Sequence, residues 1–367
     1  MDNRIAFKAY LLASTIHLIY IIRSHYLNHN SGSMSSSSKF SLQKLTDHKF
    51  LIFDVYGTLI DWESGIYTAL QPLLSRFPST AHLLSRKDVI HKFISVETEI
   101  QAKYPNMRYS ELLAEVHKAL EKELRTASGQ SGDLDLSATD AENTELSTSV
   151  TTSENPHTKF ADSMKSWNPF HDSSSALHIL DKHFKLIVLS NVDYTSFAVS
   201  HAYLSEGFSP SSSEPISHIA QSPYTRPTTN SEILWLPRTT PGSKSPFSLI
   251  MTAQDAGAYK PSLDGFNKVF KHLLTEPELQ HTIPELLQMN EVDAKEYVKA
   301  ATLIVAQSLT HDHVPAKKLG VRSVWIDRED AKMRPDDGDD QEKWGWQWRF
   351  TTLGEMARAV EKEAGGD

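Results

Sequence analysis

Four stretches of this chain place reactive residue types at the end of an apolar run. Asp54 follows Phe50-Leu51-Ile52-Phe53 and precedes a break at Gly57-Thr58. Ser190 and Asn191 follow Leu186-Ile187-Val188-Leu189, and Lys260 comes shortly after a third apolar segment at 247–252. Gln307, Ser308 and Asp312 follow Leu303-Ile304-Val305-Ala306. A carboxylate at a strand end in low dielectric is costly unless it is used. A lysine a few ångströms away would keep Asp54 ionised and available as a nucleophile, and Lys260 is the candidate. Ser190 and Asn191 supply short donors for an anionic or carbonyl oxygen, and Thr58 can hold the second oxygen of Asp54. Together these types describe covalent catalysis by a carboxylate.

Read singly, each residue also has a structural explanation. Asp54 is a reasonable turn residue, Lys260-Pro261 a common surface dipeptide, and Asp312 a common helix cap beside His311. His311 and His313 have metal-like spacing, yet without further ligands they read as loop or helix-start residues. Trp344, Trp346 and Trp348 read as one face of an edge strand or a packed tail.

Short apolar runs alternating with helical periodicity must position these groups. Strands are expected near 49–55, 186–189, 247–252, 303–306 and 321–326. Helices are expected at 62–74, 81–101, 109–124, from 173–175 to 180, after 260, at 312–319 and at 353–361. Alternation of this kind indicates an α/β fold, a Rossmannoid doubly wound parallel sheet, in which ligands gather at the carboxyl ends of strands. The helices that follow the first strand form an inserted helical module, a cap spanning 63–172. Within it, 127–160 is rich in Ser, Thr, Asp and Glu and buries too little apolar surface to offset its ordering entropy. The core is then 46–62 plus 173–362, interrupted at 205–246 by a second weakly ordered insertion whose apolar patch Ile233-Leu234-Trp235-Leu236 is expected to decorate a surface.

The chain has 367 residues, 46 acidic and 37 basic, with a net charge of −9 and no cysteine. Without cysteine there is no disulfide, thiolate nucleophile or Cys-ligated zinc. No Lys/Arg stripe suits a phosphate backbone, which argues against nucleic acid as a partner. The first 45 residues hold an apolar segment at 5–22, interrupted by Lys8 and His17, and a Ser-rich linker. That segment is the one route to membrane association, as a weak anchor. The favoured reading is that residues 1–33 lie outside the functional protein, with Met34 as a normal start for a cytoplasmic domain.

The four stretches, taken in order, resemble the motifs of the haloacid dehalogenase superfamily, and specifically its type II 2-haloacid dehalogenase branch. They are Asp54-Val55-Tyr56-Gly57-Thr58-Leu59, Leu189-Ser190-Asn191, Tyr259-Lys260-Pro261 and Ala306-Gln307-Ser308-Leu309-Thr310-His311-Asp312. The resemblance runs from about 49 to 360. Most members of that superfamily are magnesium-dependent phosphatases with a second Asp two residues after the nucleophile; here that place is Tyr56, and Gln307 stands where a metal-binding Asp is usual. The resemblance therefore implies a hydrolase that needs neither metal nor cofactor. Asp54 would displace halide from a small 2-halo acid and form an ester, with Lys260 and Thr58 holding its carboxylate. Asp312 would activate water, and Ser190, Asn191, Ser308, Gln307 and Tyr56 would bind or line the substrate. The chain departs from the branch in the cap, where 91–97 offers Lys92 and Phe93 but no Arg, leaving Arg86 and Arg108 as substitutes. Phe266 also replaces a family Tyr. An altered cap suits another electrophile, such as an epoxide or a cyclising carbon in specialised metabolism. A homodimer is compatible with all of this.

Overall fold

The computed structural model describes residues 43–81, 84–129, 155–207, 223–227, 234–328 and 337–365. Expectations for the segment at 5–22, for 130–154 and for Ile233 fall outside them. Among the described residues no helix is long and apolar enough to cross a membrane.

Six strands form one parallel sheet: β1 Phe50–Phe53, β2 Lys185–Ser190, β3 Phe247–Thr252, β4 Thr302–Ala306, β5 Arg322–Ile326 and β6 Trp348–Phe350. Their spatial order is β3-β2-β1-β4-β5-β6. β1 is central and fully buried, paired with β2 through Phe53↔Val188 and with β4 through Phe53↔Val305. A strand with neighbours on both edges and packing on both faces must be apolar throughout, which is why these strands read as unbroken runs. The strand order reverses between β1 and β4, and the crevice at such a switch point is where open α/β sheets bind ligands. Asp54 lies just past β1, and Gln307 to Asp312 just past β4.

The described residues divide into two compact units. Tyr67–Lys103 and Glu111–Asp162 form a helical unit. It contains most of α1 (Trp62–Leu74), then α2 (Arg86–Lys103), α3 (Tyr109–Ala127) and α4 (Pro156–Asp162). In α3, Leu112, Leu113, Val116, Leu120 and Leu124 are buried, at the three- and four-residue spacing read from the sequence. The sheet unit comprises 43–66, Tyr104–Ser110 and 163–365. Three points differ from the expected partition, the first being that 63–66 and 163–172, read as cap, group with the sheet unit. Residues 156–160, read as part of a disordered insertion, are helical in α4, with Phe160 buried against His117. Tyr104–Ser110, read as part of the helical module, groups with the sheet unit because Tyr259 Oη donates to Met107 O at 2.6 Å and Asp193 accepts from Ser110 N at 2.9 Å.

On one face of the sheet, Phe50, Ile52, Ile187, Leu189, Leu249 and Ile304 pack against helices α7 (Asp264–Thr275), α8 (Glu291–Ala300) and α9 (Val314–Leu319). Helices α5 (Ser173–Leu180), α6 (Tyr194–Glu206) and α10 (Leu353–Gly365) belong to the same unit, α5 touching both α6 and α10. Sequence reading had not identified α6 or α8. The former carries almost no amphipathic pattern because it is buried nearly all round, from Ser196 to Ser205.

One further expectation changes, and one divides between its two alternatives, edge strand and packed tail. The patch containing Trp235 is not surface decoration: Trp235 is 1% exposed and bridges antiparallel to Ile250 on the outer edge of β3, covering an otherwise open strand. Of the three tryptophans, only Trp348 lies in the edge strand; Trp344 ends a short helix, and Trp346 packs on Trp325 with ring centroids 5.8 Å apart.

Candidate active site

The backbone after β1 turns sharply. Val55 O accepts from the amides of Thr58, Leu59 and Ile60, and Gly57 sits at φ +98°. A Cβ at Gly57 would lie 2.9 Å from Trp62 Nε1 and 3.2 Å from Gln307 Oε1, so this position requires glycine for both conformation and space. Two side chains and one backbone amide fix the turn from outside. Arg328 donates from Nε and Nη2 to Thr58 O at 3.1 and 2.7 Å, while its Nη1 meets Asp172 at 2.8 Å and its guanidinium lies over Phe170. Ser173 Oγ, at the first residue of α5, donates to Leu59 O at 2.8 Å. Gln307 N donates to Thr58 Oγ1 at 2.8 Å. The hydroxyl of Thr58 therefore has its own proton free for Asp54, and Thr58 Oγ1 donates to Asp54 Oδ2 at 2.7 Å.

Lys260 closes the arrangement from the other side. Its Nζ lies 2.7 Å from Asp54 Oδ1 and 2.8 Å from Asp312 Oδ1, with all three side chains nearly excluded from solvent. The position of the lysine is set through its main chain: Asn191 Oδ1 accepts from Lys260 N at 2.7 Å, and Asn191 Nδ2 donates to Lys260 O at 3.0 Å. The Lys260-Pro261 peptide is cis. Asn191, expected as a substrate donor, thus spends its carbonyl and one N–H in positioning Lys260. One N–H remains.

Asp312 is delivered by a π-type turn, Leu309–His313, ahead of α9, and not as the first residue of a helix. Such turns swing one side chain inward from an otherwise helical path. Ser308 caps the turn, accepting from His311 N, and is also bonded to His311 Nδ1 at 3.0 Å. His313 is structural, with Nε2 at 3.0 Å from Ala306 O and Nδ1 at 2.8 Å from Ser323 Oγ.

The electrostatics follow from one buried cation between two buried acids. Burial opposes the charge on Lys260, but the carboxylates of Asp312 and Asp54 outweigh it and raise its pKa above the ordinary value. Asp312 is pushed up to about 7, first by burial and further by the Asp54 charge, with Lys260 opposing. Asp312 Oδ2 and Ser190 Oγ are both buried and have no hydrogen-bond partner among the described residues. Orphaned polar atoms of this kind, at the carboxyl edge of a switch point, mark where a water or substrate atom completes the site.

The structure therefore joins Asp54, Thr58, Lys260 and Asp312 in one bonded cluster, with Gln307 and Asn191 supporting it. Tyr56 stands slightly apart: its hydroxyl pairs with Ser200 Oγ at 2.9 Å, its ring meets Trp167 edge-on, and burial pushes its phenol up. Phe266 is wholly buried in the core beneath the sheet. Arg86 and Lys92 belong to the helical unit, where Arg86 lies over Tyr67 and Lys92 pairs with Glu123 at 2.6 Å. Arg108 belongs to the sheet unit. It lines a cavity of about 280 Å³ together with Met107, Asp193, Gln254 and Tyr259. Sequence reading missed Arg328, Ser173, Ser200 and Trp167. Arg328 alone left a signal, standing two residues past the fifth strand at the same sheet edge.

No protein-family model matches the sequence, and no curated protein matches it. Solved structures do. An L-2-haloacid dehalogenase shares 15% identity at a TM-score of 0.48, over 85% of this chain and 99% of its own. The L-2-haloacid dehalogenase of Xanthobacter autotrophicus shares 14% at 0.46, over 86% and 98%. The magnesium-bound HAD-hydrolase YfnB of Bacillus subtilis shares 14% at 0.46, over 86% and 99%. The solved structures to which this chain is similar thus include a HAD-hydrolase and L-2-haloacid dehalogenases.

Proposed function

We propose that this protein is a haloacid dehalogenase-like hydrolase in which Asp54 displaces halide from a small 2-halo acid through an ester intermediate. One observation carries the reading: a single lysine ammonium bridges Asp54 and Asp312 at 2.7 and 2.8 Å, with Thr58 on the other oxygen of Asp54. Held from both sides, the Asp54 carboxylate is oriented, as an attacking oxygen must be.

In the first step an Asp54 oxygen forms a bond to the substrate carbon while the carbon–halogen bond breaks and halide departs with its electron pair. No proton is needed. This suits a site where Tyr56 replaces the acid that a phosphatase uses, and where that phenol is engaged by Ser200. A magnesium site of the phosphatase kind fits these residues poorly, since Tyr56 and Gln307 supply no carboxylate. In the second step Asp312, whose Oδ2 is unpartnered and whose pKa is about 7, takes a proton from water, which attacks the ester carbonyl at Cγ of Asp54. Breaking the acyl C–O bond, with the proton on Asp312 passing to the departing alkoxide oxygen, frees the hydroxy acid and restores Asp54. Lys260 stabilises the developing oxyanion on the ester oxygen it already touches. Ser190 Oγ, also unpartnered, is a donor for substrate oxygen.

A second reading, opening of an epoxide or cyclisation on a larger metabolite, draws on the cavity of about 280 Å³ beside Tyr259. Incubation with 2-chloropropionate between neutral and alkaline pH separates the readings. Halide release, with an ester on Asp54 trapped by mass spectrometry in Asp312→Asn, is expected from the first. Absence of halide at every pH, with an ester formed from an epoxide, would establish the second in its place.

A further inference from the structure

We propose that His117, Glu121 and His157 form a binding site for a borderline divalent transition cation of the zinc class, within the helical unit and independent of the Asp54 chemistry. His117 and Glu121 stand four residues apart on α3, so both project from one face of that helix. His157 comes from the first turn of α4, where the described chain resumes at residue 155. One ligand atom from each of the three lies within 4.8 Å of the other two.

The internal arrangement is that of converging ligands. The two imidazoles face each other, with His117 Nδ1 at 2.7 Å from His157 Nδ1. A hydrogen bond satisfies that contact by itself, but not the third member: Glu121 Oε2 lies 3.9 Å from His157 Nε2, outside hydrogen-bond range. Zinc–nitrogen and zinc–oxygen bonds of about 2.0–2.2 Å place tetrahedral ligand atoms roughly 3.3 Å apart. Shifts of an ångström or so, within reach of side-chain rotation, convert the cluster into a three-ligand site with a fourth position for water. Two imidazoles and one carboxylate select zinc and its neighbours over magnesium or calcium, which prefer all-oxygen shells.

The surroundings are built to hold the ligands. Arg76 and Arg125 both donate to Glu121 Oε1, at 2.7 and 2.8 Å, which fixes the carboxylate and leaves Oε2 on the side of His157. Ligating carboxylates are characteristically held by such outer partners. The ring of Phe160 lies 4.8 Å from that of His117 and shields it from water. The two guanidiniums also repel a cation, so binding is expected to be weaker than in an all-cysteine site. Bound metal would clamp α4 to α3.

The test uses the full chain after dialysis against a chelator, titrated with Zn²⁺ by calorimetry and with Co²⁺ by visible absorption. The expected result is one equivalent of metal, an intense tetrahedral Co²⁺ spectrum and a Zn²⁺-dependent rise in Tm. All three should be lost in His117→Gln, and the affinity weakened at least tenfold in His157→Gln and Glu121→Gln. His157 is half-buried at a helix start, so His157→Gln tests the site even where the buried His117 variant fails to fold. Absence of stoichiometric binding by the wild type overturns the proposal. So does binding that survives His157→Gln and Glu121→Gln unchanged, since it then resides elsewhere among the 17 histidines.

Discussion

Replacing Lys260 with methionine keeps most of the side-chain volume and removes the one charge between Asp54 and Asp312. The lysine is 3% exposed and makes contacts of 2.7 and 2.8 Å to the two acids. At an effective dielectric of about 20, each such contact is worth roughly 6 kcal/mol of gross attraction, against a desolvation cost of several kcal/mol for the ammonium. Breaking one side of a buried pair typically costs about 3–5 kcal/mol, because the remaining charge is left uncompensated. That is the expected loss at pH 8, read as a lower urea midpoint at unchanged slope. The loss should shrink toward pH 5. Burial raises the pKa of Asp312 above its unfolded value, so its contribution to stability is intact at low pH and lost as pH rises, and without the ammonium nothing opposes that rise. Adding Asp312→Asn to the lysine variant removes one of the two orphaned charges and should recover part of the loss without restoring ester formation. A loss below about 1 kcal/mol, or one independent of pH, would refute the claim that Lys260 is the charge that compensates the two buried acids.

Two further outcomes are expected from the same geometry. Asp312 has a native pKa of about 7, above its unfolded value, so the stability it contributes is complete at low pH and declines as pH rises through 7. Asp312→Asn should therefore gain on the wild type by up to about 4 kcal/mol between pH 4 and pH 8, and an equal difference at both values would contradict the assignment. Arg328→Lys keeps the charge but loses the fork that grips Thr58 O and Asp172; urea unfolding should show a loss of about 2–3 kcal/mol, and a loss under about 0.5 would show that the clamp on the Asp54 turn is dispensable.

Much of this site was legible in the chain because strand ends are local features. Apolar runs that stop at Asp54, Ser190 and Ala306 place the residues just beyond them at one edge of a parallel sheet, whatever the strand order. Roles that depend on which atoms meet were not legible. Asn191 has the right type for a substrate donor, yet its amide is spent on the Lys260 main chain, a partner 69 residues away. Ser173 has the right type for a cap and instead holds Leu59 O. Buried α6 lacks the polar face by which helices announce themselves, and the Trp235 patch covers an edge that no periodicity reveals.

The sequence alone determined that an Asp, a Lys and a second Asp would share the carboxyl edge of a doubly wound sheet, because chain order and hydrophobic period specify elements and their direction. Only the tertiary structure decided the order β3-β2-β1-β4-β5-β6, the gathering of Lys260 between Asp54 and Asp312, the grip of Arg328 on the turn, and the meeting of His157 with His117. These are contacts between residues up to 270 positions apart. They are fixed by which faces pack and which buried charges must find partners, information that no local pattern carries.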